Sequence, residues 1–352
     1  MKREMVTLSP VQYYCQIPGV NHYATKEEYI RNSIHIAQLS ESYGIVGSLS
    51  FFNHAVLDPW AVSSIVMQQT ASHIPLIAVQ PYMYPPYTVA KLIHSFAYLY
   101  NRRIDLNMIT GAVTGELQQI GDHSDHSSRY KKLYEYVQVL RMLLESDAPV
   151  TFEGDFYRVS KLDFKPRLAD ERLRPKIFMA GSSEEGMETG LKVADYVVTH
   201  PGPLEHFKTN FSEKFRNTEV QAAIRIEIIA RASSAEAWKA AYSRYPSNRH
   251  GSIQLRMKRN SESSWQRTLA ELALTSETYD DVFWMGGYMN GGIYSPVLVG
   301  DYEQVAHYLN GYYDLGVKAV LLGSMYSEED FVHFNQVKSI LHYVSSTIGE
   351  GK

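Results

Sequence analysis

The chain has 352 residues, of which 45% are hydrophobic and 20% are charged, and its formal net charge is -4. This composition supports a large buried core and is typical of a globular enzyme rather than a disordered or coiled-coil protein. The negative net charge disfavours binding to nucleic acid through a broad basic face, and the single cysteine, Cys15, excludes an internal disulfide or a multi-cysteine metal site.

The first ten residues, MKREMVTLSP, contain basic residues without an apolar run behind them, so they do not predict a signal peptide. No segment approaches the roughly 20 apolar residues of a membrane-spanning helix. The sequence therefore predicts a cytoplasmic protein that binds neither membrane nor nucleic acid.

Short apolar runs alternate with amphipathic segments along most of the chain. The runs that predict strands are residues 11–17, 45–52, 76–80, 104–109, 176–180, 195–199, 223–230 and 317–322. The first helix is predicted from the Thr25–Glu28 capping box, and the second from Asp58, an N-cap residue before Pro59. Eight such alternations predict an α/β fold, a single (β/α)8 TIM barrel that covers residues 1–352 as one domain. An open doubly wound sheet would give a similar pattern.

Two segments interrupt this alternation. Residues 149–168 predict a β-hairpin that turns at Gly154 and Asp155. Residues 246–299 contain a polar part and then a glycine-rich run, without a regular pattern. So long a connection in a compact domain is usually a lid or a binding loop and is sometimes disordered; we expect a lid near 246–299.

The stretch 103–136 concentrates polar residues beside a predicted strand. Asn107 and Thr110 lie at the carboxyl end of that strand, and His126 and Tyr130 begin the next helix. Ligands of α/β proteins bind at this end of the strands. His126 and Tyr130 are four residues apart, so they share one face of the helix. The stretch therefore predicts part of a ligand site.

A second polar loop, Gly181–Ser182–Ser183, also connects a predicted strand to a helix. Backbone N–H groups and hydroxyls at a helix N-terminus attract an anion such as phosphate. With His126 and Tyr130 this loop predicts a two-sided phosphate site, while ordinary helix capping remains the alternative for each side.

Other candidate chemistry is weaker. His123, Asp125 and His126 fit no zinc motif, so we predict no metal site. Cys15 has no base assigned to it and is expected to be a small buried residue. Neither a Walker loop nor a GxGxxG motif after a strand is present.

Five motifs occur in order along most of the chain: Asp58–Pro59–Trp60, residues 103–111 (RIDLNMITG), residues 125–130 (DHSSRY), residues 179–183 (MAGSS) and residues 299–316 (VGDYEQVAHYLNGYYDLG). In sequence and order they resemble the luciferase-like flavin-dependent monooxygenases, in particular the branch of alkanesulfonate and long-chain alkane monooxygenases. The resemblance implies a (β/α)8 barrel that binds reduced FMN from a separate flavin reductase and uses O2 to oxygenate a small or carrier-tethered substrate. It also implies a homodimer or homotetramer.

Site roles follow from the same resemblance. Asn107 and Thr110 would lie against the flavin ring, with Asp58 nearby. The ribityl phosphate would be held by four residues: His126, Tyr130, Ser182 and Ser183. Arg225 matches a family arginine on a strand that faces the active site.

The chain departs from the alkanesulfonate pattern where that pattern binds substrate. Glu227 replaces a histidine two residues after the arginine, Asn290 aligns with a mobile-loop arginine, and Ser324 aligns with a tyrosine. A family cysteine aligns with Val56 or Leu57. An anion needs charge-assisted hydrogen bonds to offset its desolvation, so a sulfonate substrate is disfavoured.

Arg225 and Glu227 are candidate catalytic residues for tuning or proton transfer near the flavin, and His54 is a third candidate. A purely structural arginine–carboxylate pair stays open. Three other functions also remain: hydride transfer with deazaflavin F420 on the same fold, flavin binding without catalysis, and metal-dependent hydrolysis.

Overall fold

A computed structural model describes residues 11–341, apart from 112–113, 248–250 and 262. Its strands are β1 (Gln12–Gln16), β2 (Gly47–Ser50), β3 (Ile74–Val79), β4 (Asp105–Met108), β5 (Val150–Glu153), β6 (Arg158–Leu162), β7 (Ile177–Ala180), β8 (Tyr196–Thr199), β9 (Gln221–Arg231), β10 (Thr278–Tyr279), β11 (Phe283–Trp284), β12 (Val297–Asp301) and β13 (Val317–Leu322).

The α-helices are α1 (Lys26–Ser42), α2 (Pro59–Gln68), α3 (Pro86–Tyr100), α4 (Thr114–Gln119), α5 (His126–Glu145), α6 (Glu184–Val193), α7 (Leu204–Asn210), α8 (Ser234–Arg244), α9 (Gly251–Arg259), α10 (Ser264–Thr275), α11 (Gly286–Met289), α12 (Tyr302–Asp314) and α13 (Glu328–Ile340). Within the described residues, no helix combines the length and apolar character needed to cross a membrane.

Eight parallel strands close into a barrel in the order β1, β2, β3, β4, β7, β8, β9, β13. The barrel closes because β13 pairs with β1, where Ala319 lies opposite Gln12. Helices lie between successive strands, so the predicted (β/α)8 barrel is confirmed and the open sheet is excluded. The eight barrel strands coincide with the eight apolar runs of the sequence.

Local sequence signals fix several helix ends. Thr25 and Glu28 form a complete capping box at the start of α1, and Gly44 just beyond its end has φ of 66°. Such a left-handed conformation suits glycine, which has no Cβ to clash. The Asp58 side chain accepts hydrogen bonds from the backbone N–H groups of Trp60 and Ala61 at the start of α2.

Large side chains fill the barrel interior. The Tyr14 hydroxyl donates to the Asp105 carboxylate at 2.7 Å, and Arg103 pairs with the same carboxylate at 2.8 Å. The rings of Phe178 and Tyr196 stack with centroids 4.4 Å apart. The interior is therefore a packed core that closes the barrel below the carboxyl ends of the strands.

Both predicted interruptions are present. Strands β5 and β6 form the expected antiparallel hairpin. The second interruption is more regular than expected: it contains α9, α10, α11 and the strands β10–β12. The second half of β9 leaves the barrel and pairs with β12 from Glu227 to Arg231, which extends the sheet outwards. The sequence pattern also missed α4, which occupies part of the predicted loop before α5.

Candidate active site

A polar layer lies above the packed interior, because side chains on one face of a strand recur every second residue. Tyr14, Asp105, Val198 and Ala223 face the interior, since Asp105 contacts Tyr14 and the other three belong to one buried cluster. The polar layer is formed by the residues two positions further along the same four strands, towards their carboxyl ends: Gln16, Asn107, His200 and Arg225. Two predicted site residues, Asn107 and Arg225, therefore lie in one layer.

Arg225 of β9 is held in this layer by a residue of β1, on the far side of β13. Its guanidinium donates to the Gln16 side-chain carbonyl, and the Gln16 amide donates to the Tyr326 hydroxyl at 3.4 Å. Burial lowers the pKa of Arg225, and the negative charge of Glu227 partly opposes that effect. A guanidinium remains charged despite such a shift, so Arg225 brings a fixed positive charge to the barrel mouth.

Glu227 is only 5% exposed and lies two residues beyond Arg225 on the same face of β9. The Tyr245 hydroxyl donates to its Oε2 at 2.6 Å, and the Ser324 hydroxyl also hydrogen bonds to the carboxyl group. Burial raises the pKa of Glu227 above its ordinary value, which the hydrogen bonds and nearby arginines oppose. Glu227 therefore keeps a proton to higher pH than an exposed glutamate does.

Gly323 leaves room for the buried Glu227 side chain. A Cβ on Gly323 would lie 2.7 Å from the Glu227 Cγ, so any larger residue there would push against the carboxylate side chain. The next residue, Ser324, has φ of 51°, which directs the chain around the glutamate. Glu227 and Ser324, two positions at which the sequence resemblance indicated a departure from the alkanesulfonate pattern, therefore contact each other.

A second polar cluster joins the N-termini of α5 and α6. Asp125 caps α5 through Ser128 N–H at 2.7 Å, and Ser183 caps α6 through Gly186 N–H at 3.0 Å. The Tyr130 hydroxyl lies so close to Gly186 that a Cβ there would be 2.8 Å from it. Tyr130 and Ser183, which the sequence assigned to opposite sides of one phosphate site, are thus neighbours.

His126 and Ser182 lie at the edges of this cluster. The His126 ring packs edge-on to Tyr130 with centroids 5.0 Å apart, and its Nδ1 is 3.6 Å from the Glu185 carboxylate. The Ser182 hydroxyl shares a hydrogen bond of 3.1 Å with Thr199. All four residues predicted to hold a phosphate therefore lie in the first turns of α5 or in the loop that leads into α6.

The remaining predicted residues have more ordinary surroundings. Thr110 is half-buried just beyond β4. Asp58 caps α2 and accepts a hydrogen bond from Tyr84, and burial raises the pKa of Tyr84 to about 12. His54 is exposed in the loop after β2, with its ring 6.5 Å from that of Phe52. Cys15 is buried and its thiol contacts the Ser40 hydroxyl, as expected of a core residue.

His200 is a site residue that the sequence reasoning missed. Its ring stacks on Trp265 of α10 with centroids 4.1 Å apart, and its Nε2 is buried without a hydrogen-bond partner among the described residues. Burial, with the nearby charge of Arg225, lowers the pKa of His200 well below its ordinary value. The imidazole is therefore neutral. The sequence signal that could have identified His200 as a site residue is its position directly after the predicted strand 195–199.

A cavity of about 230 Å³ lies beside His200. Its polar lining includes Ser182, Thr199, His206 and Lys214, and Trp265 of α10 forms another part of the wall. The Ser264 hydroxyl donates to the Ser182 carbonyl at 3.0 Å. The start of α10 therefore covers the carboxyl ends of β7 and β8, where the sequence predicted a lid.

Metal binding has little geometric support. Across residues 11–341, in the parts that the structure describes, no three His, Cys, Asp or Glu side chains are grouped to hold a metal ion.

A family model described as luciferase-like monooxygenase matches residues 10–319 of the chain. The chain belongs to this family. It is 75% identical over 334 residues to BtrO of Niallia circulans, a monooxygenase of 4-(gamma-L-glutamylamino)butanoyl-BtrI acyl-carrier protein; the match covers 95% of this chain and 98% of the relative. As a luciferase-like monooxygenase with so similar a relative, the chain is an enzyme, and the resemblance seen in its motifs is confirmed.

Solved structures show the same fold at low sequence identity. The chain is similar to the long-chain alkane monooxygenase LadA, with a TM-score of 0.73 and 17% identity over 97% of this chain and 94% of that chain. It is also similar to an F420-dependent secondary alcohol dehydrogenase, with a TM-score of 0.65 and 18% identity over 94% of this chain and 98% of that chain. These likenesses establish the barrel and leave the cofactor open.

Proposed function

We propose that this luciferase-like enzyme is the oxygenase of a two-component, FMN-dependent system and that its substrate is an acyl group tethered to an acyl-carrier protein. The observation that carries the proposal is the 75% identity, over 95% of the chain, to a monooxygenase of such a substrate. Reduced FMN from a separate reductase would supply the electrons with which one atom of O2 enters the substrate and the other leaves as water.

The paired helix N-termini fit the phosphate of FMN. Each presents backbone N–H groups and the positive end of a helix dipole, and α5 and α6 are long enough for this effect. Tyr130 adds a hydroxyl donor, which can approach the start of α6 closely because Gly186 has no side chain. We assign His126, Tyr130, Ser182 and Ser183 to this phosphate. The Glu185 carboxylate beside His126 works against an anion, and a protonated His126 would offset it.

The polar layer then suits the flavin ring and the substrate. We assign Asn107 and Thr110 to the ring, because they lie at the carboxyl end of β4, the strand that leads into the α5 side of the phosphate site. Asp58 is assigned to the ring side as well, although its observed contacts are those of a helix cap.

Arg225 and Glu227 have complementary roles in this proposal. Arg225 supplies a fixed positive charge next to Gln16, which stabilises negative charge on reacting oxygen. Glu227, whose pKa is raised by burial, can hold a proton to higher pH than an exposed glutamate and can exchange it with a reacting group. His54 is placed on the exposed β2 loop, where a role in substrate entry fits better than contact with buried chemistry.

The remaining expectations complete the proposal. The barrel and its insertions act as one domain, the segment near 246–299 serves as the lid, and the chain works in the cytoplasm as a homodimer or homotetramer. Similarity to an F420-dependent dehydrogenase favours one second candidate, hydride transfer from reduced F420 on the same barrel. That activity would proceed without O2.

The test uses the full chain, FMN, NADH, a flavin reductase, and 4-(gamma-L-glutamylamino)butanoyl attached to the BtrI acyl-carrier protein, under isotopically heavy O2. We expect mass spectrometry to show one heavy oxygen atom in the carrier-bound acyl group, and none when the chain or FMN is omitted. An unchanged acyl group with rapid O2 consumption would refute the proposal. Turnover with reduced F420 under nitrogen would favour the dehydrogenase.

A further inference from the structure

Helix α9 lies at the face of the barrel through which a substrate must enter. It packs on α10, whose first residues contact Ser182 and His200 at the carboxyl ends of β7 and β8. It also packs on α11, where the Lys258 ammonium donates to the Tyr288 carbonyl at 3.0 Å. Because these contacts fix its position, α9 forms part of the rim around the candidate active site.

The outer face of α9 is apolar as well as exposed. Leu255 points inwards and is only 5% exposed, whereas Ile253 and Met257, four residues apart on the opposite face, are 57% and 69% exposed. Tyr294, 63% exposed, lies near the same helix, with its ring centroid 5.6 Å from the Lys258 ammonium. Large apolar side chains grouped on one surface commonly mark a docking site.

Positive charge borders this apolar face. Helix α9 contains Arg256, Lys258 and Arg259 and no acidic residue, in a chain whose net charge is -4. Glu271 of α10 pairs with Arg259 at 3.0 Å and the Lys258 ammonium faces Tyr288, so Arg256 is the exposed positive charge of this helix that has no acidic partner among the described residues. An apolar centre with a basic rim is complementary to an acidic protein surface that carries a few apolar side chains.

We propose that the exposed face of α9, formed by Ile253, Arg256, Met257 and Tyr294, is the docking surface for the acyl-carrier protein. The inference deepens the proposed function and rests on it, because the tethered acyl group is what requires a protein partner at the barrel mouth. Acyl-carrier proteins are small acidic helical proteins, and they deliver the acyl group on a flexible phosphopantetheine arm. A docked carrier on α9 would place that arm beside the loops after β7 and β8.

The decisive variant is Arg256→Glu, with Lys192→Glu as its matched control. Lys192 is exposed near the end of α6, at the opposite end of the barrel, and the two substitutions change the charge equally. Binding of fluorescently labelled BtrI acyl-carrier protein is measured by anisotropy. We expect Arg256→Glu to weaken binding about 10-fold at low salt, since a rim charge acts through association and is screened by ions. Lys192→Glu should bind as the unaltered chain does.

Turnover separates docking from chemistry. The same acyl group is offered on the carrier protein and as a free pantetheine thioester. Arg256→Glu and Met257→Glu should raise KM for the carrier-bound substrate about 5- to 10-fold, with little change in kcat and no change for the pantetheine thioester. Equal effects on both substrates, or unchanged binding of the carrier in the anisotropy assay, would overturn the docking proposal.

Two further outcomes are informative. If the labelled carrier binds and Arg256→Glu weakens that binding, the docking surface is supported even when no acyl group is oxygenated, and only the proposed reaction fails. If light scattering shows that Met257→Glu changes the number of chains per particle, then α9 joins copies of this chain and the docking proposal is wrong.

Discussion

Removal of the Tyr130 hydroxyl tests the proposed phosphate site directly, because this hydroxyl lies between the N-termini of α5 and α6. The substitution Tyr130→Phe removes that hydroxyl and leaves the ring, which packs against His126 and is largely buried. A hydrogen bond to a charged group contributes about 1.5–3 kcal/mol, which corresponds to a loss of affinity of about 10- to 150-fold. FMN binding should weaken by this factor.

Riboflavin provides the internal comparison, because it has the same ring and ribityl chain and no phosphate. Its affinity should be nearly unchanged by Tyr130→Phe, as measured by fluorescence titration of both flavins. Tyr134→Phe is the matched control: Tyr134 lies one turn further along α5 and its hydroxyl accepts from Gln138 at 3.1 Å. Equal losses for FMN and riboflavin, or equal losses for both variants, would refute the assignment of Tyr130 to the phosphate.

Two further predictions concern Glu227. Burial raises the pKa of the Glu227 carboxyl, so in the folded chain it stays protonated above pH 4.5, the ordinary glutamate value, whereas in the unfolded chain it ionises. The free energy of unfolding should therefore fall as the pH rises, by up to about 1.4 kcal/mol per pH unit. The Glu227→Gln variant, which cannot ionise at this position, is the reference for this slope. Parallel pH profiles in urea denaturation would show instead that Glu227 ionises normally. Gly323→Ala should lower the free energy of unfolding by about 1–3 kcal/mol through its clash with Glu227, whereas Gly115→Ala, with open space around it, should be neutral or stabilising. Similar stabilities for the two alanine variants would contradict the close approach.

The barrel could be predicted from sequence because its strands lie within short, largely apolar segments, several of which are covered on both sides. Strand β3, residues 74–79, and strand β13, residues 317–322, show this pattern. Each is buried and pairs in parallel with its own neighbours, β3 with β2 and β4, and β13 with β1 and β9. Caps at Thr25 and Asp58 then fixed where two helices begin. These signals are local, so one sequence was sufficient to find them.

The insertion from 246 to 299 could not be predicted in the same way. Strands β10 and β11 have two residues each, and they exist because β12 pairs with the outer half of β9. Helix α9 is short and buries mainly Leu255, so its apolar periodicity is weak. Tertiary contacts, rather than local propensity, form these elements.

Some residues of the candidate site could be predicted from local sequence, and others could not because tertiary contacts position them. The positions of Asn107 and Arg225 follow from strand parity, and those of Tyr130 and Ser183 from helix starts. The partners of Glu227 could not be inferred, because Tyr245 is 18 residues away and Ser324 comes from the loop after the last barrel strand. The stacking of Trp265 on His200 depends on how α10 packs.

The most direct test of the proposed function is a single turnover without any reductase. FMN is reduced under nitrogen, bound to the chain, mixed with the carrier-tethered 4-(gamma-L-glutamylamino)butanoyl substrate, and exposed to O2. We predict about one oxygenated acyl group per reduced FMN, detected by mass spectrometry of the carrier protein. Complete reoxidation of FMN to give hydrogen peroxide, with the acyl group unchanged, would contradict the assignment of this chain as the oxygenase.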